Sequence, residues 1–389
     1  MTSETSTKLV RPDGSIYNYT AAGEPLKPQQ RSRFETRVAF AAAHVVVDPL
    51  RTMEPLTHPV VDWEATLAYR EHLWSLGFGV AEAMDTAQRG MGLDWPLALE
   101  LIKRSTAAAK TRGALVASGA GTDHLPAGKT FTLQEVTNAY LEQCEAIEAV
   151  DGRIILMASR ALAAVARHAD DYASVYASVL TQIRQPVILH WLGPMFDPAL
   201  EGYWGGTSIS AAMENCLGII HTHKEKIDGI KISLLDADLE VSMRRQFPAG
   251  VRMYTGDDFN YDRLILGDGQ GHSDALLGIF DAIAPAASLA LAALDAGDIP
   301  RYQQLLAPTV PLSRHIFASP TQHYKTGVVF LAFLNGFQSH FRMVRGAENA
   351  RSTAHLCELF VLADQAGVLR DPELAIRRMR SFLLLAGVT

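Results

Sequence analysis

The feature of this sequence that most restricts its fold is the regular alternation of short apolar segments with longer, helix-like ones. Eight segments are almost continuously apolar and rich in β-branched residues. Strands of this kind are typical of a parallel sheet whose two faces are both covered by helices. Eight strand–helix units favour a closed (β/α)8 TIM barrel, an α/β fold, over an open sheet. The predicted strands are residues 37–47, 78–84, 114–118, 154–158, 187–192, 228–234, 251–254 and 275–280.

Local signals predict helices between these strands. Asp62 and Asp94 are placed to cap helix N-termini, and Gly77 is placed to end the first of these helices. Thr132 and Glu135 have the spacing of a capping box. The alternation of strand and helix is therefore predicted from capping residues as well as from hydrophobicity.

The chain is predicted to have three parts. An N-terminal extension covers residues 1–35, the barrel 36–305 and a C-terminal helical extension 306–389. In the first part, residues 11–16 have the composition of a turn between two extended pieces, so this part is either a hairpin lid or a loosely attached tail. Helices late in the chain are predicted over residues 288–296, 324–337, 350–365 and 372–384.

Composition and charge exclude several classes of protein. The 389-residue chain has a formal net charge of −7 and a pI near 6.0, which argues against nucleic acid or an anionic membrane as a partner. The three cysteines stand far apart and in no metal-binding spacing, so we expect reduced thiols. No secretion signal opens the sequence, and no apolar run reaches about 18 residues. We therefore expect a cytoplasmic protein with neither a membrane nor a nucleic-acid partner.

Lys231 lies in the middle of an otherwise apolar strand, two residues after Gly229. Burial of an ammonium group is costly unless the charge is paired or the proton is lost. Either the lysine stem reaches a strand end where the amine meets solvent, or the amine is desolvated and neutral. A neutral lysine amine attacks carbonyl groups and forms Schiff bases. The spacing alone does not decide between the two.

Functional residues of TIM barrels lie at the C-terminal ends of the strands. His190 directly follows three apolar residues of the fifth predicted strand, one strand before Lys231. A lone histidine on an apolar strand is often a hydrogen-bonded core residue, but an imidazole beside a nucleophilic amine suits the proton transfers of imine formation. The other strand-end candidates are His44, Asp48, Asp85, Thr86, Asp123, His124, Ser159, Arg160, Trp191, Asp257, Asp258 and Asp281.

Several short motifs follow one another in a fixed order along the chain. Each motif is weak alone, and their order and spacing make the set specific. They are P-V-I-L-H-W-L-G-P at residues 186–194, G-I-K at 229–231, Y-T-G-D-D at 254–258, L-L-G-I-F-D at 276–281, A-G-D at 296–298 and K-T-G at 325–327.

In this set the chain resembles the dihydrodipicolinate synthase / N-acetylneuraminate lyase superfamily of class I Schiff-base aldolases, as a divergent bacterial branch. The resemblance covers roughly residues 35–385. It implies that Lys231, in the family's G-x-K strand, forms an imine with the substrate carbonyl. It also implies a lyase, aldolase or dehydratase that needs no separate cofactor, and a homo-oligomer, either a dimer or a tetramer.

The chain departs from the family pattern where the substrate is bound. His190 stands where the family has a proton-relaying tyrosine, and an imidazole titrates nearer neutrality than a phenol. Thr86 alone remains of the family's carboxylate-binding G-T-T-G-E segment, and Asp85 beside it would repel a carboxylate. The arginine that usually follows the fifth strand is absent. A keto sugar, a ketose or another neutral polyol therefore fits such a site better than pyruvate. The expected substrate is a small carbonyl compound, either a keto sugar or a keto acid derivative, which suggests a role in carbohydrate metabolism.

The predicted active site has Lys231 as the nucleophile and His190 as the group that moves protons. Trp191 is predicted to form an apolar wall together with Trp204, although packing of its own loop is an equal alternative for Trp204. Residues 256–258 are alternatively a structural turn whose carboxylates accept backbone N–H bonds. The predicted substrate-binding residues are Asp85, Thr86, His44, Trp191 and Asp257.

Two other functions remain open at this point. One is a metal-dependent barrel isomerase or epimerase, in which six strand-end side chains hold a divalent cation. The other is a non-catalytic barrel kept as a ligand-binding subunit. The six candidate metal ligands are His44, Asp48, Asp85, Asp123, His124 and His190.

Overall fold

Eight parallel strands close into a barrel in the computed structural model of the protein, which describes residues 5–54 and 56–388. The predicted (β/α)8 barrel is therefore confirmed. The first four residues of the predicted N-terminal extension and the last residue of the C-terminal extension lie outside the described residues. The strands are β1 (Ser6–Val10), β2 (Ile16–Thr20), β3 (Ala39–Ala42), β4 (Gly79–Glu82), β5 (Val116–Ala120), β6 (Arg153–Leu156), β7 (Val187–Leu192), β8 (Ile227–Ser233), β9 (Arg252–Thr255) and β10 (Asp274–Leu277).

Helices follow the barrel strands and continue beyond the barrel. Strands β3 to β10 pair in chain order, and β10 pairs with β3 to close the barrel. Short 3-10 helices lie at Asp85–Ala87, Pro198–Leu200, Tyr203–Gly205, Lys224–Lys226, Thr321–His323 and Val344–Ala350. The α-helices are α1 (Trp63–Ser75), α2 (Trp95–Arg112), α3 (Leu133–Glu148), α4 (Arg160–Val165), α5 (Ala169–Leu180), α6 (Ile209–Thr222), α7 (Ala237–Arg244), α8 (Tyr261–Leu266), α9 (Ile279–Asp295), α10 (Ile299–Leu306), α11 (Thr309–Ile316), α12 (Tyr324–Leu334), α13 (Thr353–Gln365) and α14 (Pro372–Leu385).

The predicted helix caps are confirmed. The Asp62 and Asp94 side chains accept hydrogen bonds from backbone N–H groups in the first turns of α1 and α2. Thr132 and Glu135 form the reciprocal bonds of a capping box at the start of α3. These side chains satisfy N–H groups that have no partner inside the helix, so the start of each helix is encoded locally.

Two strands end three or more residues before their predicted ends. Strand β3 ends at Ala42, although the apolar run continues to residue 47. Strand β10 ends at Leu277, and helix α9 begins at Ile279, whose N–H donates to the Asp258 carboxylate over 2.9 Å. A short apolar run buried on all sides does not distinguish a strand from a helix. The distant carboxylate that accepts this N–H bond is not visible in the local sequence.

Successive residues of each barrel strand point alternately into the barrel and out toward the helices. Strand β8 pairs with β7 and β9 so that Lys231 lies between His190 and Tyr254. Because Tyr254 packs with the inward-facing core, we assign Lys231 and His190 to the inner face as well. The apolar residues that fill the barrel interior are Phe40, Ala42, Ala81, Ala117, Ile155, Ile188, Tyr254 and Leu276.

The N-terminal residues form a hairpin of β1 and β2 that packs on α13 and α14. The Tyr19 hydroxyl donates to the Asp364 carboxylate over 2.7 Å, and the N–H groups of Ala22 and Gly23 donate to the same carboxylate. None of the residues 5–35 lines the cavity at the C-terminal ends of the strands. The hairpin is thus an attached element on the C-terminal helices, and neither a lid nor a loose tail.

Candidate active site

A cavity of about 540 Å³ opens at the C-terminal ends of β4 to β7, where TIM barrels carry their functional residues. Its size falls in the range of small-molecule sites. Polar groups come from the strand ends, and apolar side chains come from the loops and from α4. Residues of its wall include Asp85, Arg89, Asp123, Lys129, Phe131, Ser159, Arg160, Val165, His190, Asp197 and Leu200.

Lys231 adjoins this cavity from the barrel interior. Its side chain is buried, with 7% of the residue exposed. Gly256 of the neighbouring strand end leaves room for it, since a Cβ atom on this glycine would lie only 2.7 Å from Lys231 Cε. Burial lowers the pKa of Lys231, while the carboxylates of Asp85 and Asp258 act in the opposite direction. The larger effect of burial raises the fraction of free amine, the form that attacks carbonyl carbons.

His190 lines the cavity directly beside Lys231. Its Nε2 lies 3.4 Å from the Ser233 hydroxyl, and the residue is 1% exposed. Burial, together with the positive charge of Lys231, lowers the pKa of His190 well below its usual value. The imidazole is therefore neutral at pH 7, and it can both accept and return a proton.

Asp85 and Thr86 lie in the 3-10 turn that follows β4. Asp85 is partly exposed and lines the cavity. Thr86 is buried, and its hydroxyl is hydrogen-bonded to the Tyr324 hydroxyl over 2.8 Å. The structure thus brings Lys231, His190 and Asp85 together, with Thr86 linking the turn to α12.

Three further buried polar residues lie near Lys231, and of these the sequence marked only Asp258, as a strand-end candidate. Tyr324 and Lys325 open helix α12, and both are 4% exposed. Asp258 follows β9, and burial raises its pKa to about 7, although the Ile279 N–H and the charge of Lys231 act to lower it. A signal did exist, because Lys325 interrupts an apolar helix as Lys231 interrupts an apolar strand.

Three predicted substrate-binding residues lie elsewhere. His44 is completely buried, and its Nδ1 lies 2.8 Å from the Asp281 carboxylate. Because β3 ends at Ala42, the His44 ring packs on Tyr69 of α1 and is not among the residues that line the cavity.

Trp191 and Asp257 also depart from their predicted positions. Trp191 follows the inward-facing His190, so it points outward, and its ring packs against Trp204. The Asp257 carboxylate accepts the N–H groups of Phe259 and Asn260 over 2.8 and 3.0 Å. Its carboxylate therefore holds the turn after β9, which corresponds to the structural alternative stated for this segment.

The six candidate metal ligands do not form one group. Asp48 pairs with Arg51 in an exposed loop, and Asp123 pairs with the buried Arg89 over 2.7 Å. Within the described ranges, no three His, Cys, Asp or Glu side chains are grouped so that they could hold a metal ion.

Solved structures of dihydrodipicolinate synthases and their relatives share this fold. The enzyme from Thermotoga maritima matches with a TM-score of 0.61 at 15% identity, over 86% of this chain and 100% of that one. The enzyme from Bacillus anthracis gives 0.61 at 15% identity, over 84% and 98%. A prophage protein of the dihydrodipicolinic acid synthase family from E. coli K12, solved in complex with pyruvate, gives 0.62 at 11% identity, over 91% and 99%. The resemblance seen in the sequence is thus confirmed as a shared fold.

The chain belongs to the family described as "Protein of unknown function (DUF993)", whose model matches residues 7–388. No curated protein matches the chain in sequence. Across the part of the chain that the structure describes, every helix is too short or too polar to cross a membrane.

Proposed function

We propose that this protein is a lyase that forms a Schiff base between Lys231 and a small carbonyl substrate. The observation that carries this proposal is a lysine buried in the middle of a barrel strand, beside a cavity and a neutral histidine. A structural role for such a lysine would require a charge partner, yet within the described residues Lys231 forms no ion pair with a carboxylate. Its burial instead favours the neutral amine that imine chemistry needs.

The arrangement supports a simple sequence of steps. The Lys231 amine attacks the carbonyl carbon, and loss of water gives a protonated imine. This cation draws electrons from the neighbouring carbon, so that a C–C bond breaks or forms, or a hydroxyl group leaves as water. His190, neutral and beside Lys231, carries the proton to or from the substrate. No cofactor is required by this proposal, because the protonated imine is the electron sink.

We propose a neutral keto sugar or ketose as the substrate class, rather than a 2-keto acid. Asp85 lines the cavity and interacts electrostatically with Lys231, so a carboxylate next to the reacting carbonyl would meet a like charge. The Thr86 hydroxyl already forms a hydrogen bond with the Tyr324 hydroxyl. Arg160, the more exposed of the two arginines in the cavity wall, forms an ion pair with Asp197. A carboxylate can instead accept hydrogen bonds from sugar hydroxyl groups.

The test is turnover of a panel of carbonyl compounds, followed by proton NMR. The panel contains pyruvate, 2-keto-3-deoxy sugar acids, ketoses and 3-keto sugars. We expect neutral sugars to have the highest kcat/KM, and Asp85→Asn to lower their advantage over 2-keto acids by about tenfold or more, because the like charge is removed. Asp238→Asn, which removes an exposed carboxylate that does not line the cavity, is the matched control. A 2-keto acid as the best wild-type substrate would contradict the proposed substrate class.

We also propose that the protein is a homo-oligomer. The loop after β3 exposes three large apolar side chains, Leu50, Met53 and Leu56, which are 91%, 88% and 64% exposed. Clustered apolar side chains of this size commonly mark contact surfaces. Light scattering of the purified protein measures the assembly, and a monomer at micromolar concentration would contradict this proposal.

A further inference from the structure

Helix α12 begins with a lysine that the proposed mechanism has not used. Lys325 is 4% exposed, and its ammonium group donates to the Gln322 carbonyl over 3.0 Å. Within the described residues this is its one hydrogen bond, and it forms no ion pair there. An ammonium group carries three N–H donors. A buried cation with so few partners is costly, so its position calls for a functional reason.

The start of α12 is fixed to the site by Tyr324. The Tyr324 hydroxyl is bonded to Thr86, the residue next to Asp85, and Lys325 Nζ lies 4.4 Å from the Tyr324 ring centroid. Gly278 leaves space for this contact, because a Cβ atom there would lie 3.1 Å from the Tyr324 ring. Lys325 is therefore held beside the turn that carries Asp85.

Most of the charged residues that act on Lys325 also line the cavity. Asp85 of the 3-10 turn and Asp197 after β7 attract its ammonium group, while Arg160 of α4 and Lys231 of β8 repel it. Three of these four residues line the cavity, and the fourth is the proposed nucleophile. Lys325 thus lies within electrostatic range of three cavity residues and of the proposed nucleophile.

Burial has the largest effect on Lys325 and lowers its pKa to about 8. Its ammonium group is thus the main form at pH 7, and it gives up a proton far more readily than an exposed lysine. His190 is neutral at the same pH, so it acts as an acid only after it has accepted a proton.

We propose that Lys325 is the acid that supplies the proton needed for imine formation at Lys231. This inference rests on the proposed function. As the Lys231 nitrogen bonds to the carbonyl carbon, the electron pair of the C=O bond moves to oxygen, which takes a proton from Lys325. His190 removes one proton from the new nitrogen and returns it to the hydroxyl group. The C–O bond then breaks, water leaves, and the protonated imine remains. Hydrolysis of the imine returns the proton to Lys325.

The experiment measures the rate of imine formation. Wild-type protein is mixed with the keto sugar or ketose that it turns over, quenched with borohydride at intervals, and analysed by intact mass and peptide mapping. The variants are Lys325→Met, which removes the charge and keeps the bulk, and Lys325→Arg, which keeps the charge but does not release a proton. Lys103→Met, on the exposed face of α2, is the control, and thermal unfolding checks that each variant is folded.

We expect both Lys325 variants to form the adduct at Lys231 at least about 100-fold more slowly at pH 7, the usual effect of losing a general acid. The wild-type rate should rise as Lys231 loses its proton and fall again above about pH 8 as Lys325 loses its own. In both Lys325 variants, the rate of adduct formation should rise with pH and should not fall again above pH 8. This wild-type profile tests the inference even if a variant does not fold.

Three results would overturn the inference. They are a Lys325→Met rate within twofold of wild type, a wild-type rate that keeps rising above pH 8, or an adduct that maps to Lys325 itself. The proposed function would survive the first two. A wild-type protein that forms no adduct with any carbonyl compound would instead contradict the proposed function, and the inference with it.

Discussion

Gly256 shapes the space that the Lys231 side chain occupies. A methyl group at this position would lie 2.7 Å from Lys231 Cε and 2.6 Å from the Ile232 carbonyl oxygen, both closer than atoms approach. We expect Gly256→Ala to lower the rate of imine formation by about 100-fold, because a displacement of the reactive atom by about 1 Å has this effect. Borohydride trapping at fixed times measures this rate.

A matched glycine separates this effect from general loss of stability. Gly218 lies inside α6, and a methyl group there would meet no atom within 4 Å. Gly218→Ala should leave the trapping rate unchanged and should stabilise the helix by about 0.5–1 kcal/mol. An unchanged trapping rate in Gly256→Ala would show that the space around Lys231 Cε does not control the chemistry.

The sequence best indicates where single residues lie when the strand that carries them is regular. Lys231 and His190 were both predicted, and the structure places them on neighbouring strands in direct register. Trp191 was predicted as part of the same site, yet alternation along the strand directs it outward. His44 lies away from the cavity for another reason. Its strand ends at Ala42, five residues before the end of the apolar run, and the carboxylate of the distant residue Asp281 holds its ring.

A buried hydrogen bond between Thr86 and Tyr324 joins helix α12 to the barrel. We expect a double-mutant cycle of Thr86→Val and Tyr324→Phe to give a coupling free energy of about 0.5–1.5 kcal/mol, the usual net value of such a bond. Turnover should fall in both single variants, because the turn that carries Asp85 loses its support. Chemical unfolding and steady-state kinetics measure the two effects.

A second hydroxyl pair is the control for this cycle. Tyr261 and Thr309 are completely buried and share a 2.6 Å hydrogen bond away from the cavity. Tyr261→Phe and Thr309→Val should couple in stability to a similar degree and leave turnover unchanged. If the Thr86 and Tyr324 variants likewise keep full turnover, α12 has no role in positioning the site.

Helices whose first turn is capped by a nearby side chain were predicted with the correct start. Asp62, Asp94 and Thr132 cap their helices as expected. The change from strand to helix after Leu277 was missed, because residues 275–280 are apolar throughout and equally suited to both structures. The carboxylate that accepts the first N–H of α9 comes from Asp258, about twenty residues earlier in the chain.

At the scale of the whole molecule, the barrel and its C-terminal helices act as one unit. The sequence predicted the barrel from its eight strands and treated residues 306–389 as an addition. The structure shows that this addition supplies Tyr324 and Lys325 to the neighbourhood of Lys231. Hydrophobic patterning gives the number and order of elements, but it does not tell which helix end approaches a strand end. The substrate wall was therefore predicted from barrel strands alone.

The central claim is that Lys231 forms an imine with a carbonyl substrate. The most direct test is borohydride trapping of the wild-type protein with the panel of carbonyl compounds, read by intact mass and peptide mapping, with Lys231→Ala as the control. The account predicts a single covalent adduct on the peptide that contains Lys231, formed with a neutral keto sugar or ketose and absent from the variant. The absence of any adduct would contradict it and would favour a non-catalytic, ligand-binding barrel. An adduct that persists in Lys231→Ala would also contradict it, because the reactive amine would then belong to another residue.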